Sequence, residues 1–86
     1  MNDEIRQQRA FVLRALRRMQ GIPMPNTTLV ASVQTGFPAQ TPSQAEVSAL
    51  LADMEADGYL VAVNDDIAGR VWTLTMKGTA KALQLP

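Results

Sequence analysis

The hydrophobic period of this chain changes once, near Gly58, and that change constrains the fold more than any other feature. Up to Gly58, apolar side chains recur every three or four residues, as on helices; beyond it the pattern is that of strands. Three helical segments and a hairpin within 86 residues leave material for one core. A single α+β domain over residues 1–86 is therefore expected.

The first segment predicts a helix from about Asp3 to Gln20. Ile5, Val12, Ala15, Leu16 and Met19 fall on one stripe, with Phe11 and Leu13 at its margins. Asp3 and Glu4 at one end and Arg17 and Arg18 at the other suit the helix dipole. Gly21 is a natural stop, and Pro23 and Pro25 forbid continuation. Asn26 is expected to cap a shorter helix carrying Leu29, Val30 and Val33. Gly36 is expected to close it in the left-handed conformation, followed by Phe37 and Pro38.

After a polar turn at residues 38–40, the third helix has two candidate starts. Thr41 can cap with Pro42 at the first helical position and Gln44 completing a box, or Ser43 can cap with Glu46. Val47, Leu50, Leu51 and Met54 form its inward stripe, and Gly58 ends it. Residues 59–63 then read as a strand, Asn64-Asp65-Asp66 as turn chemistry, and residues 70–75 as the returning strand, with Trp72 and Leu74 on the face that docks on the helices. Thr75 caps a short helix from Met76 to about Leu83, with Pro86 beyond it.

Composition excludes most chemistry. With neither cysteine nor histidine, the chain offers no disulfide, no zinc site of the Cys/His type, no thiol nucleophile and no imidazole acid or base. Asp65 and Asp66 are adjacent carboxylates in an exposed turn, short of a calcium loop and without a glycine-rich phosphate loop beside them. No catalytic residue, metal or cofactor is expected. The apolar runs are too short to span a membrane, and Met1-Asn2-Asp3-Glu4 is unlike a secretory signal, so a cytoplasmic location is expected.

The formal charge is zero but unevenly placed. Residues 1–20 carry Arg6, Arg9, Arg14, Arg17 and Arg18 against Asp3 and Glu4, a net +3. Residues 41–69 carry Glu46, Asp53, Glu55, Asp57, Asp65 and Asp66, a net −6. Arg70, Lys77 and Lys81 return +3 at the end. The chain is basic at both ends and acidic in the middle.

Helix, helix, turn, helix, hairpin, helix is the order of a winged helix-turn-helix. Asp57-Gly58-Tyr59-Leu60 resembles the step from recognition helix to wing in many such proteins, and Trp72-Thr73-Leu74-Thr75-Met76-Lys77-Gly78 resembles their exit from the wing. The likeness covers nearly the whole chain and points to the bacterial MarR/PadR-like superfamily in the broad sense. Compact winged-helix proteins of Mu-like phages are a looser likeness. Two departures stand out: the MarR-type wing usually has a basic tip, here replaced by Asn64-Asp65-Asp66, and little chain is left for that group's dimerisation helices.

The resemblance implies a DNA-binding regulator whose third helix enters the major groove. Its exposed N-terminal residues would be Ser43, Gln44, Ala45 and Ser48, with Gln44 able to pair with an adenine edge. Ser43 and Gln44 are equally caps, and Ser48 equally a solvated surface residue. Phosphate contacts would fall to Arg70, read as the base of the wing, and to Lys77 and Lys81, so DNA affinity should be weak. A protein-interaction module is the rival. Ala45, Ala49, Ala52 and Ala56 form a stripe opposite the core side of helix three, either propensity filling an exposed face or a close-approach surface for a partner helix or a second subunit. Arg6, Arg14 and Arg17 share a face of helix one, either solvated or set against an acidic partner. A core of this size is marginal, so a homodimer is expected.

Overall fold

The computed structural model describes residues 2–85 and is an α+β structure of four helices and a three-stranded antiparallel sheet. In chain order these are α1 (Asp3–Arg18), β1 (Met24–Pro25), α2 (Asn26–Gly36), a 3₁₀ turn (Pro38–Gln40), α3 (Gln44–Ala56), β2 (Leu60–Asp65), β3 (Gly69–Leu74) and α4 (Met76–Leu83). Pro86, expected beyond the last helix, lies outside the described residues.

In α1, Asn2 caps by accepting from the Ile5 N–H at 2.8 Å. Its buried face is Gln8, Val12, Leu13 and Leu16. The expected stripe is thus rotated: Leu13 moves from margin to core and Ile5 to the exposed side. The helix gives way at Arg18, two residues early, where Gln20 and Gly21 take successive left-handed conformations, φ 53° and 88°. That reversal lets Met24–Pro25 run beside β3, pairing Met24 with Trp72 and Pro25 with Val71. The sheet order is β1-β3-β2. β1 was not foreseen, because two residues between prolines carry no strand period.

Two expectations for α2 are corrected. Asn26 is its first helical residue, preceded by Pro25, and its side chain makes no cap. Its Oδ1 instead accepts from the Trp72 indole N–H at 2.9 Å. Gly36 ends the helix without turning left-handed; a Cβ there would overlap the Phe11 ring, which packs edge-to-face on Phe37 at 5.5 Å. Its small size lets the C-terminal end of α2 approach α1.

α3 begins at the second of its two candidate starts. Ser43 Oγ accepts from the Glu46 N–H at 3.1 Å, and the Glu46 carboxylate accepts from the Ser43 N–H at 3.2 Å. Thr41 donates instead to the Phe37 carbonyl. Val47, Leu50, Leu51 and Met54 are buried as expected. With Val12, Leu16, Leu29, Val33, Leu60 and Trp72 they make one contiguous apolar cluster. Trp72 is 2 % exposed within it, whereas Leu74 is only partly buried at its edge.

Gly58 turns at φ 87° and β2 and β3 pair one-to-one from Leu60↔Leu74 to Asp65↔Gly69. The reversal sits two residues later than expected, at residues 66–68, because Asp65 closes the ladder and organises the turn. Its Oδ1 accepts from the N–H groups of Ile67 and Ala68 at 2.8 and 2.9 Å.

Candidate interaction surface

The two motifs that flank the hairpin meet in space. Thr75 N–H donates to the Tyr59 carbonyl at 3.1 Å, and Thr75 Oγ1 donates to the Gly58 carbonyl at 2.5 Å while accepting from the Gly78 N–H as the cap of α4. Gly78 packs so closely that a Cβ there would land on the Tyr59 carbonyl oxygen. Lys77 Nζ donates to the Asp57 carbonyl at 2.6 Å and lies 4.8 Å from the Tyr59 ring centroid. Arg9 approaches the same ring at 5.7 Å and pairs with Asp57 Oδ2 at 2.8 Å. Cations set against an aromatic ring are held there by its quadrupole. This cluster anchors the hairpin to α1 and α4.

The residues proposed for phosphate contact are largely occupied. Arg70 stands opposite Asn64, one pair from the tip, and not at the base of the hairpin. Its guanidinium lies 5.0 Å from the Trp72 ring centroid and 3.8 Å from Glu55 of α3. Lys77 is held on Asp57 and Tyr59. Lys81 is exposed and lines, with Arg6, Arg9, Tyr59 and Leu85, a cleft between α1 and α4.

Ser43, Gln44 and Ser48 are exposed at the N-terminal end of α3, and Ser43 is its cap. Ala45, Ala49, Ala52 and Ala56 are exposed along the same helix. Asp53 forms no ion pair among the described residues. At the hairpin tip, the N–H groups of Ala68 and Ile67 hold the Asp65 carboxyl below its ordinary value of 3.8, so it stays ionised at neutral pH. Ile67 beside it is 97 % exposed.

Positive charge gathers elsewhere. Arg14, Arg17 and Arg18, with Gln20, line a shallow groove at the C-terminal end of α1, and none of the three makes an ion pair among the described residues. Arg6 is spent in part on Asp3 at 3.8 Å, and stands nearer the other end of the helix. The structure therefore divides Arg6 from Arg17, which sequence reading placed in one cluster, and adds Arg18. Arg9 and Tyr59 were missed as partners, since nothing in the local sequence shows that they meet Asp57 and Lys77.

No helix among the described residues is long and apolar enough to cross a membrane, and no group of three or more carboxylates among them is placed to hold a metal ion. Comparison of the chain with protein-family models, curated proteins and solved structures returns no match.

Proposed function

We propose that this chain is a winged-helix domain whose α3 face binds protein and not DNA. The order of elements, with a hairpin following α3 and returning to β1, supports the winged-helix reading, and with it the broad likeness to the MarR/PadR group and to small phage proteins. One observation carries the choice of partner: both arginines near α3 and the hairpin are paired within the fold, Arg70 with Glu55 and the Trp72 ring and Arg9 with Asp57, and Lys77 is tethered to the Asp57 carbonyl, which leaves Lys81 as the one cation there without a hydrogen bond or ion pair among the described residues. Phosphate affinity comes from cations free to replace counterions. What α3 presents instead is alanine flanked by carboxylates, a flat surface suited to close helix approach.

The rival DNA reading draws on the open N-terminal end of α3, where Gln44 and Ser48 face solvent. A gel-shift titration at low salt on a mixed-sequence pool separates the two. The protein reading expects no shift at about 10 µM protein, where ordinary non-specific binders already shift. DNA binding through Arg70, Lys77 and Lys81 expects a slope of log affinity on log salt of about −3. Arg70→Ala would then flatten the slope by about one, and Gln44→Ala would cost preference at a single base. Ala49→Arg or Ala52→Arg, with circular dichroism unchanged, should abolish association through the alanine face.

A further inference from the structure

The free edge of the hairpin carries a second surface, independent of what α3 meets. β2 is an outer strand of the sheet. Because the Thr75 N–H donates to the Tyr59 carbonyl, and Leu60 stands opposite Leu74, the odd-numbered residues of β2 bond to β3. Antiparallel alternation then turns the N–H and C=O groups of Leu60, Ala62 and Asn64 outward. Among the described residues, no side chain or loop backbone bonds those groups.

Edges of this kind are usually blunted by lysine, proline, a bulge or a covering segment. β2 has neither lysine nor proline, its register with β3 is unbroken over six pairs, and Val61 and Val63 are exposed at 42 % and 59 %. The opposite edge, β1, is two residues long and ends in Pro25, so it cannot template a strand. One usable edge per chain makes a closed pair and not a fibre.

The charge pattern says what lies on that edge. At the tip stand Asp65 and Asp66, with the nearby Arg70 drawn back towards Glu55 of α3; at the base Arg9 is paired with Asp57, while Lys77, exposed and bonded only to the Asp57 carbonyl, faces no carboxylate among the described residues and leaves the base cationic. Six residues of strand, about 20 Å, separate tip from base, so one hairpin cannot satisfy itself. An antiparallel copy can. We propose that two copies of this chain pair through their β2 edges, the acidic tip of each seated beside the cationic base of the other. With the twofold axis at Ala62, Leu60 of one copy faces Asn64 of the second, Val61 faces Val63, and Asp65 and Asp66 come opposite Tyr59 and Gly58. The Lys77 side chain runs over that same Gly58.

Sedimentation velocity from about 1 to about 300 µM brackets the weak affinities expected of so small a contact. The expected result is a monomer–dimer equilibrium, weakened roughly tenfold between about 50 mM and 500 mM salt as the tip-to-base attraction is screened. Ala62→Pro removes only an outward N–H and should weaken the dimer at least about tenfold without loss of the β2–β3 ladder. The chain has no cysteine, so Ala62→Cys places one thiol on the axis, with Cα atoms about 5.5 Å apart, and mild oxidation should give a covalent dimer. Ser48→Cys, on α3, should not. A monomer over the whole range overturns the proposal. So does a dimer that Ala62→Pro spares and Ala49→Arg dissolves, which would belong to the α3 face. The gel-shift result bears on α3 alone.

Discussion

Arg9, Arg70 and Lys77 at the hairpin and Arg14, Arg17 and Arg18 at the end of α1 carry the same formal charge and have opposite fates. The first three are bound into the fold by Asp57, Glu55 and the rings of Tyr59 and Trp72. The second three touch no carboxylate among the described residues. Charge counted along a sequence measures what a surface owns; pairing decides what it can offer a partner. Here the segment best placed to meet phosphate by analogy is the one whose arginines are paired internally.

The anchored hairpin is most vulnerable at Gly78. A methyl there would collide with the Tyr59 carbonyl, which is backbone and cannot swing aside. Gly78→Ala should destabilise by about 3 kcal/mol, within the range for overpacking, and lower the melting temperature by roughly 15 °C. A loss below about 1 kcal/mol would mean that the hairpin base is not a rigid anchor.

Arg9 and Arg14 sharpen the contrast within one helix. The Arg9 side chain is 16 % exposed and hydrogen-bonded to Asp57. Arg9→Ala should cost about 1–2 kcal/mol by removing that hydrogen bond and the packing of the partly buried Arg9 side chain, read by urea denaturation. Arg14→Ala should stay within about 0.5 kcal/mol. Equal costs would erase the distinction between the two groups.

Substituting Arg14, Arg17 and Arg18 together by alanine should alter stability by under about 1 kcal/mol, most of it from the lost helix-dipole interaction. The same change should elute the protein from a heparin column at clearly lower salt, whereas Arg70→Ala should shift elution little. Reversed elution would return the hairpin cations to the role suggested by analogy.

The smallest effect lies at the tip. Since the N–H groups of Ala68 and Ile67 depress the Asp65 carboxyl, its contribution is complete above the unfolded carboxyl range, about pH 4, and is lost as pH falls through the lower folded value. Amide resonances of Ile67 and Ala68 should therefore hold steady to about pH 4 and move only below it. In Asp65→Asn they should not titrate.

The helices were legible because burial on one face imposes a period, and Val47, Leu50, Leu51 and Met54 display it without ambiguity. Local chemistry also served where its partners are local, as with Thr75 on Gly78 and Ser43 on Glu46. It misled where a local preference yields to a distant partner. Asn26 has the chemistry of a cap, but its oxygen is taken by an indole 46 residues away. Gly36 has the freedom to turn left-handed, but what the packing uses is its lack of a side chain beside Phe11. The candidate surface was legible as composition and not as availability, since Arg70, Lys77 and Arg9 acquire their partners only when three elements converge.

The chain's single tryptophan is a built-in optical probe of this convergence. Trp72 sits on β3 with its N–H on the first residue of α2 and its ring under Arg70, so its emission reports whether sheet and helices are docked, without any label. Undocking should move the emission to longer wavelength as the indole meets water. Loss of Arg70 should change intensity at a nearly constant wavelength, because the cation stacks on the ring while the core around it stays dry. A single spectrum thus separates global opening from loss of the stacking arginine.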